Sequence, residues 1–254
     1  MDCDALRDQW ERLKDFVPGG RKGKRGPRSD NRRFLNALLW MARSGARWRD
    51  LREQLGDHGA VKRRYYRWIE RGVAGRGPRC AFARGRSGVA DDRLHHRSSA
   101  SACSRRQPAK RGAHAQGLGR SRGGLSTKFH VAGDALGNPV RLIGSPGQRN
   151  DIAFAHELVD GFEADVTIAD KGYDADHLCD RIAETGSEVV IPPKRNRTVQ
   201  RSYDPDLYKE RNIIERFFNR LKQFRRVATR YDKLLANFMG FVKLAAIAIW
   251  LTTA

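Results

Sequence analysis

The sequence predicts an α/β protein in which a mixed-sheet core follows an all-helical N-terminal region. Up to about residue 72, apolar residues recur at helical spacing, whereas from Gly119 short segments alternate between apolar and polar residues as strands do. The predicted order from there is hairpin, helix, strand, helix, strand, helix, which is typical of a mixed α/β sheet. A chain of 254 residues is long enough to bury a sizeable core.

The N-terminal region, residues 1–72, is predicted to contain four helices, with Asp30 placed to cap the second. The predicted helices span residues 4–17, 30–43, 48–55 and 61–71. A glycine-containing turn at residues 56–59 separates the last two, and helix, turn, basic helix is the outline of a helix-turn-helix. The cations predicted to contact DNA are Lys62, Arg63, Arg64 and Arg67. The alternative is a helical bundle with a basic outer face.

The charge balance favours a polyanionic partner. Lysine and arginine number 50 against 29 aspartates and glutamates, which gives a net charge of +21. Residues 71–124 hold 13 basic and 2 acidic residues, so the remaining chain, at +10, is still basic. The four cysteines are scattered, which argues against a zinc site or a disulfide framework. The apolar stretch from Leu234 contains Asn237 and Lys243 and is predicted to be a buried helix, so a cytoplasmic protein is expected.

Two stretches contain candidate catalytic side chains. Residues 166–169 form a short apolar strand that leads into Asp170, and ligands of open α/β sheets bind where such strands end. The alternative is an aspartate that only begins a turn, and Asp174 is interpreted as a helix cap. Within residues 208–222, read as one helix, a polar stripe contains Tyr208, Arg211, Glu215 and Lys222. The alternative there is a solvated helix with ordinary charge pairs.

The spacing Tyr-x2-Arg-x3-Glu-x6-Lys resembles the signature of DDE-type bacterial insertion-sequence transposases, of insertion sequence families 5 and 4. Residues 169–174, ADKGYD, are similar to the block that contains their second catalytic aspartate. This resemblance implies an RNase H-like core in which Asp170 and Glu215 hold Mg²⁺ or Mn²⁺. It also implies that Arg211 and Lys222 contact phosphate and that Tyr208 positions the DNA strand. The cations expected to extend this DNA surface are Arg225, Arg226 and Arg230.

By the same resemblance, the protein would bind the terminal inverted repeats of its element, cleave strands and join them to target DNA. The expected assembly is a homo-oligomer in a synaptic complex, without a membrane partner. The expected place is the bacterial cytoplasm, at the nucleoid. A nuclease unrelated to transposition shares the metal chemistry but leaves the basic helical region unexplained.

The first catalytic aspartate of this family is missing from the expected strand. Residues 73–112 lack periodicity and are predicted to be disordered or frameshifted, between domains at 1–72 and 113–254. With suitably chosen codons, residues 91–99 can be back-translated so that the frame one nucleotide later spells Thr-Ile-Asp-Ser-Thr, which maps the missing aspartate onto Arg93. A guanidinium cannot bind a cation, although Asp91 or Asp92 could substitute. An impaired enzyme is therefore expected, or alternatively a catalytically inactive DNA-binding remnant.

Overall fold

The structure is a computed structural model that describes residues 7–14, 17, 30–73, 87–92, 116–121 and 124–253. The chain forms two compact units, one of Met1–Arg79 with Leu221–Ala254 and one of Cys80–Arg220. The sequence analysis assigns the segment Leu221–Ala254 to a core domain of residues 113–254. The contacts instead group it with the N-terminal helices, in a unit that is helical throughout its described part.

The elements have the following bounds. The helices are α1 (Arg7–Leu13), α2 (Asn31–Ser44), α3 (His58–Glu70), α4 (Ala155–Val159), α5 (Asp176–Ala183), α6 (Pro205–Lys209), α7 (Asn212–Lys222), α8 (Arg225–Ala228) and α9 (Leu235–Thr253). The strands are β1 (Ser87–Asp92), β2 (Gly119–Ser121), β3 (Gly124–Asp134), β4 (Pro139–Pro146), β5 (Val166–Ala169) and β6 (Glu188–Val190).

Side-chain caps define where the N-terminal helices begin. The carboxylate of Asp30 accepts from the amide of Arg33 at 2.8 Å, which confirms the predicted cap of α2. The single helix predicted over residues 48–55 is wrong, because two 3₁₀ turns, Trp48–Asp50 and Glu53–Leu55, replace it. Leu51 lies between them with extended backbone angles, and in this arrangement it is buried. Leu51 is thus buried at the position where the helical backbone is interrupted.

Helix α9 is the core of the helical unit. Its segment Leu235–Thr252 is long and apolar enough to cross a membrane, but 56% of that segment is buried inside the protein. Helix α3 approaches it closely at Gly240, where an added Cβ would lie 2.3 Å from Cδ1 of Ile69 and 2.5 Å from Oη of Tyr65. A larger residue at position 240 would separate the two helices. The prediction of a buried C-terminal helix is confirmed.

Two arginines expected on the DNA surface are structural instead. Arg226 is buried and donates to the Asp232 carboxylate at 3.1 Å and to the carbonyl of Ala46 at 2.9 Å. Arg230 is also buried and donates to the backbone carbonyl of Asp232 at 2.9 Å. Burial lowers the pKa of Arg230 to about 10. The expectation is therefore wrong for these two residues, whereas Arg225 is exposed.

The second unit contains a six-stranded mixed sheet with the order β2-β3-β1-β5-β6, and β4 also pairs with β3. Strand β1 lies at its centre, antiparallel to β3 and parallel to β5. It falls in the segment that the sequence predicts to lack regular structure. The two neighbouring strands supply its hydrogen-bond partners, so the ladder defines this strand although its own sequence has no strand periodicity. The predicted mixed α/β class is confirmed.

Helices cover both faces of the sheet. On one face a buried cluster consists of Ala132, Ala155, Leu158, Ala169, Tyr173, Leu178, Cys179, Ile182 and Ile191, which come mainly from the sheet, α4 and α5. On the other face Ile168 belongs to a smaller cluster, against which Leu207 and Tyr208 of α6 pack. Because Ile168 and Ala169 face opposite sides, the next residue, Asp170, falls on the α6 side of the sheet.

We expect Asp232→Ala to lower the free energy of unfolding of the helical unit by about 3 kcal/mol or more, because it leaves the Arg226 guanidinium buried without its carboxylate. Urea unfolding measures the loss. Lys233→Ala, which removes an exposed side chain one residue away, serves as the matched control and should change the free energy by less than about 0.5 kcal/mol. Equal effects of the two changes would contradict the structural role of this ion pair.

Candidate active site and DNA-binding surface

Asp170 lies directly after β5, at the carboxyl edge of the sheet. Its Oδ1 accepts from the amide of Lys171 at 2.7 Å, which begins the short 3₁₀ turn Lys171–Tyr173. The same oxygen accepts a long hydrogen bond, 3.4 Å, from the hydroxyl of Tyr208. The Asp170 side chain is partly exposed. The strand end thus presents a carboxylate that is held in place from two directions yet remains open to a ligand.

The prediction of a single helix over residues 208–222 is wrong. Helix α6 ends at Lys209 and α7 begins at Asn212, and at the junction the amide of Arg211 bonds to the carbonyl of Tyr208 at 3.1 Å. Tyr208 packs on the sheet cluster of Ile168, whereas Ile214 of α7 fills the space over Gly133. The two helices pack on different parts of the sheet, which explains the turn between them.

The turn nevertheless brings three of the predicted residues together. The guanidinium of Arg211 lies 5.6 Å from the centre of the Tyr208 ring and forms an ion pair with Glu215. Tyr208 in turn reaches Asp170, so a continuous series of contacts joins the two candidate metal ligands. Burial, and then the nearby Asp170 carboxylate, raises the pKa of Tyr208, which keeps its hydroxyl protonated as a donor. We call Asp170, Tyr208, Arg211 and Glu215 the carboxylate site.

Lys222, the fourth residue of the predicted stripe, is the last residue of α7 and is exposed. It lies seven residues, or about two helical turns, beyond Glu215. Because two full turns separate them, the Lys222 cation lies on the same side of α7 as the Glu215 carboxylate.

Strand β1 approaches the carboxylate site through the ladder of the sheet. Val89 is level with Ala169 of β5, so β1 continues past the level of Asp170 to Asp91 and Asp92. In the ladder with β3, position 91 is opposite His130 and position 92 is opposite Phe129. Arg93, onto which the frameshift hypothesis maps the missing aspartate, lies outside the described residues.

A buried polar cluster supports the strand end from the opposite face of the sheet, and sequence reasoning missed it. Lys128 forms an ion pair with Asp151, and both side chains are largely inaccessible. His130 contacts the hydroxyl of Tyr173 at 3.2 Å and that of Ser145 at 2.9 Å. The spacing of Lys128 and His130 along β3 indicates that they share one face of the strand, but nothing in the local sequence shows that this polar face is buried. We call these residues the buried cluster.

Asp174 is not the helix cap that the sequence indicates. Its side chain is fully buried and accepts from the amide of Lys194 at 2.7 Å, from Arg197 at 2.8 Å and from Arg201 at 3.0 Å. Helix α5 begins after Ala175 without a side-chain cap. The carboxylate instead fixes the basic segment that follows β6, a contact across 20 or more residues that local sequence cannot reveal.

The four predicted DNA contacts of α3 have different surroundings. Arg63 and Arg67 are exposed, and Lys62 is partly exposed with its ammonium 5.8 Å from the Tyr66 ring centre. Arg64 instead bonds to Asn31 and stacks on Phe34, 4.1 Å from the ring centre, and on Trp68. Burial lowers the pKa of Arg64 below its ordinary value. Only three of these cations therefore remain directed at solvent.

Comparisons with known proteins match two family models to the chain. Residues 95–251 match the family described as "Transposase DDE domain", and residues 6–76 match the family described as "Putative transposase of IS4/5 family". The first match covers more than half of the chain and contains the whole carboxylate site.

Individual relatives cover parts of the chain. It is 78% identical over 74 residues to "Uncharacterized protein y4sN" of Sinorhizobium fredii, 29% of this chain and 59% of that protein. It is 43% identical over 131 residues to "Putative transposase for insertion sequence element IS6501" of Brucella ovis, 50% of this chain and 99% of that protein. A chain of the "Cryo-EM structure of piggyBac transposase synaptic complex with hairpin DNA" aligns over 96% of this chain and 70% of its own length, with 10% identity and a TM-score of 0.45. That similarity is too low to assign a fold.

The buried cluster makes the stability of the protein depend on pH. Burial lowers the pKa of His130 from 6.5 to about 4. Between these values the unfolded chain binds a proton here that the folded protein does not, so the free energy of unfolding falls as the pH falls. The contribution is complete above pH 6.5, and we expect a loss of about 2 kcal/mol between pH 7 and pH 5. Urea unfolding at the two pH values measures it, and His130→Gln should lack this part of the difference. An unchanged difference in that variant would contradict the assignment.

Proposed function

The chain belongs to the DDE-domain transposases of the IS4/5 family, and we propose that it binds the terminal inverted repeats of an insertion sequence and cleaves and joins DNA strands there. The observation that carries the proposal is the series of contacts from Asp170 through Tyr208 and Arg211 to Glu215. This series links two carboxylates from distant parts of the sequence through a cation and a hydroxyl group. We propose further that the sheet is the RNase H-like core of this family, and that the protein acts as a homo-oligomer in the bacterial cytoplasm.

The chemistry of the carboxylate site fits a hard divalent cation. Carboxylate oxygens are the ligands that Mg²⁺ and Mn²⁺ prefer, and Asp170 and Glu215 would hold the ion. When bound, such an ion supplies an activated water or 3′-hydroxyl and stabilises the leaving oxygen. When no ion is bound, the guanidinium of Arg211 pairs with the Glu215 carboxylate, and the hydroxyl of Tyr208 orients Asp170. Together with Lys222, the Arg211 guanidinium would contact the phosphates of the bound strand.

The resemblance to this family implies a third acidic ligand. The described residues contain no group of three His, Cys, Asp or Glu side chains able to hold a metal. The backbone of β1 continues past the level of Asp170 to positions 91 and 92 on the neighbouring strand. Asp91 and Asp92 are therefore the two substitute ligands that we propose to test, and since consecutive strand residues alternate in face, at most one of them can serve.

The test uses supercoiled plasmid with the element's terminal repeats, with and without Mg²⁺ or Mn²⁺. We expect metal-dependent nicking at the repeats, lost in Asp170→Asn and in Glu215→Gln while binding to the repeats persists, because these changes remove a metal ligand and leave the basic surface. Asp206→Asn, an exposed carboxylate on α6, is the matched control and should retain nicking. Loss of nicking in Asp91→Asn or in Asp92→Asn would identify that residue as the substitute ligand, and full activity in both variants would exclude a substitute at these positions.

The second candidate function is that of a catalytically inactive DNA-binding remnant. It is favoured by the absence of a three-ligand group in the part of the chain that the structure describes. In that case the wild-type protein binds the repeats but nicks them with neither metal ion. Equal nicking of plasmid that lacks the repeats would instead indicate a nuclease unrelated to transposition.

The exposure of the α3 cations leads to a separate prediction about DNA binding. We expect Arg63→Gln and Arg67→Gln each to weaken binding to duplex DNA and to reduce the slope of log K against log salt by about 1, because each removes one phosphate contact. Arg64→Gln should leave that slope unchanged and lower the stability, since its guanidinium is stacked on Phe34. Fluorescence anisotropy at several salt concentrations measures the slopes. A reduced slope in Arg64→Gln alone would contradict this division of roles.

A further inference from the structure

A pocket of about 470 Å³ lies beside α3 in the helical unit. The residues that line it are Trp48, Arg49, His58, Gly59, Lys62, Arg63 and Tyr66. Three of them are permanent cations, and none is a carboxylate. The volume falls in the range that small organic ligands occupy, and the charge selects an anion.

Two aromatic rings form a corner of this pocket. The rings of Trp48 and Tyr66 have their centres 6.3 Å apart and their planes at 74°. A flat ring that stacks on one of them meets the other at its edge, which is a favourable aromatic geometry. The ammonium of Lys62 lies 5.8 Å from the Tyr66 ring centre, so a cation is placed at this corner. The pocket thus combines a surface for a planar ring with positive charge.

The pocket is formed before any ligand binds. The Trp48 ring is held against Phe241, 6.0 Å between centres, and against Tyr65, at 5.7 Å. The first turn of α3 is fixed because the carboxylate of Asp57 accepts from the amide of Ala60 at 2.7 Å. A preformed wall avoids the cost of ordering side chains upon binding.

We propose that this pocket binds an unpaired nucleotide of DNA, with its base stacked in the aromatic corner and its phosphate among Arg49, Lys62 and Arg63. In a duplex, neighbouring base pairs cover the faces of each base, so only an unpaired nucleotide can use the aromatic wall. The proposal rests on the proposed function in that its ligand is DNA. It adds that the helical unit recognises single-stranded or extruded nucleotides as well as duplex.

The experiment compares a blunt duplex with the same duplex carrying a short single-stranded extension that contains 2-aminopurine. We expect the extension to tighten binding by about tenfold, because base–aromatic stacking has an effect of this size. The fluorescence of 2-aminopurine should fall upon binding. Tyr66→Leu should abolish both the preference and the fluorescence change while binding to the blunt duplex persists. Arg49→Gln, at an exposed side chain whose loss leaves the fold intact, should reduce the preference.

Arg67→Gln is the matched control, because Arg67 is an exposed cation on the same helix that does not line the pocket. It should weaken binding to both DNAs equally and leave their ratio unchanged. Equal wild-type affinity for the two DNAs, or a preference that survives Tyr66→Leu, would overturn the proposal. Tight binding of free deoxynucleoside monophosphate without preference for the extended duplex would overturn it too, in favour of a nucleotide site. Absent cleavage with the preference intact would count against the proposed function alone.

Discussion

The ion pair between Arg211 and Glu215 is the interaction on which the candidate active site depends. The guanidinium of Arg211 pairs with the carboxylate of Glu215, and its position over the Tyr208 ring links this ion pair to the hydroxyl group from which Asp170 accepts a hydrogen bond. The break between α6 and α7 makes this possible, because a continuous helix would carry Tyr208 away from the sheet cluster on which it packs.

The opposite face of the sheet holds the same strand end with buried polar groups. Asp151 is paired with Lys128, and its second oxygen lies within 3.1 Å of where a Cβ on Gly172 would be. A side chain at position 172 would therefore press on the buried ion pair. His130 adds a contact to Tyr173, the last residue of the turn that Asp170 begins. Fully bonded buried networks of this kind fix a unique backbone geometry, and this one holds the turn that Asp170 begins.

Sequence reasoning predicted the features that local patterns encode. The hairpin around Asp134, strand β5 and the residues of the carboxylate site follow from alternation, turn residues and motif spacing. It failed where distant partners decide the structure. Strand β1 exists because β3 and β5 lie on either side, Asp174 bonds to a segment 20 residues away, and Arg226 is neutralised inside the helical unit. No window of local sequence contains those partners, so helix and strand patterns cannot report them.

The positive charge of the chain also divides into parts with different physical roles. Arg226 and Arg230 are buried with oxygen partners, and Arg64 is stacked between aromatic rings, so these cations stabilise the helical unit. The net charge does not distinguish these buried or stacked cations from Arg63 and Arg67, which are exposed on α3. Since only cations directed at solvent can displace counterions from phosphate, the anion-binding capacity of this unit is smaller than its composition indicates. Arg63 and Arg67 belong to the exposed part, and the aromatic pocket lies beside the same helix.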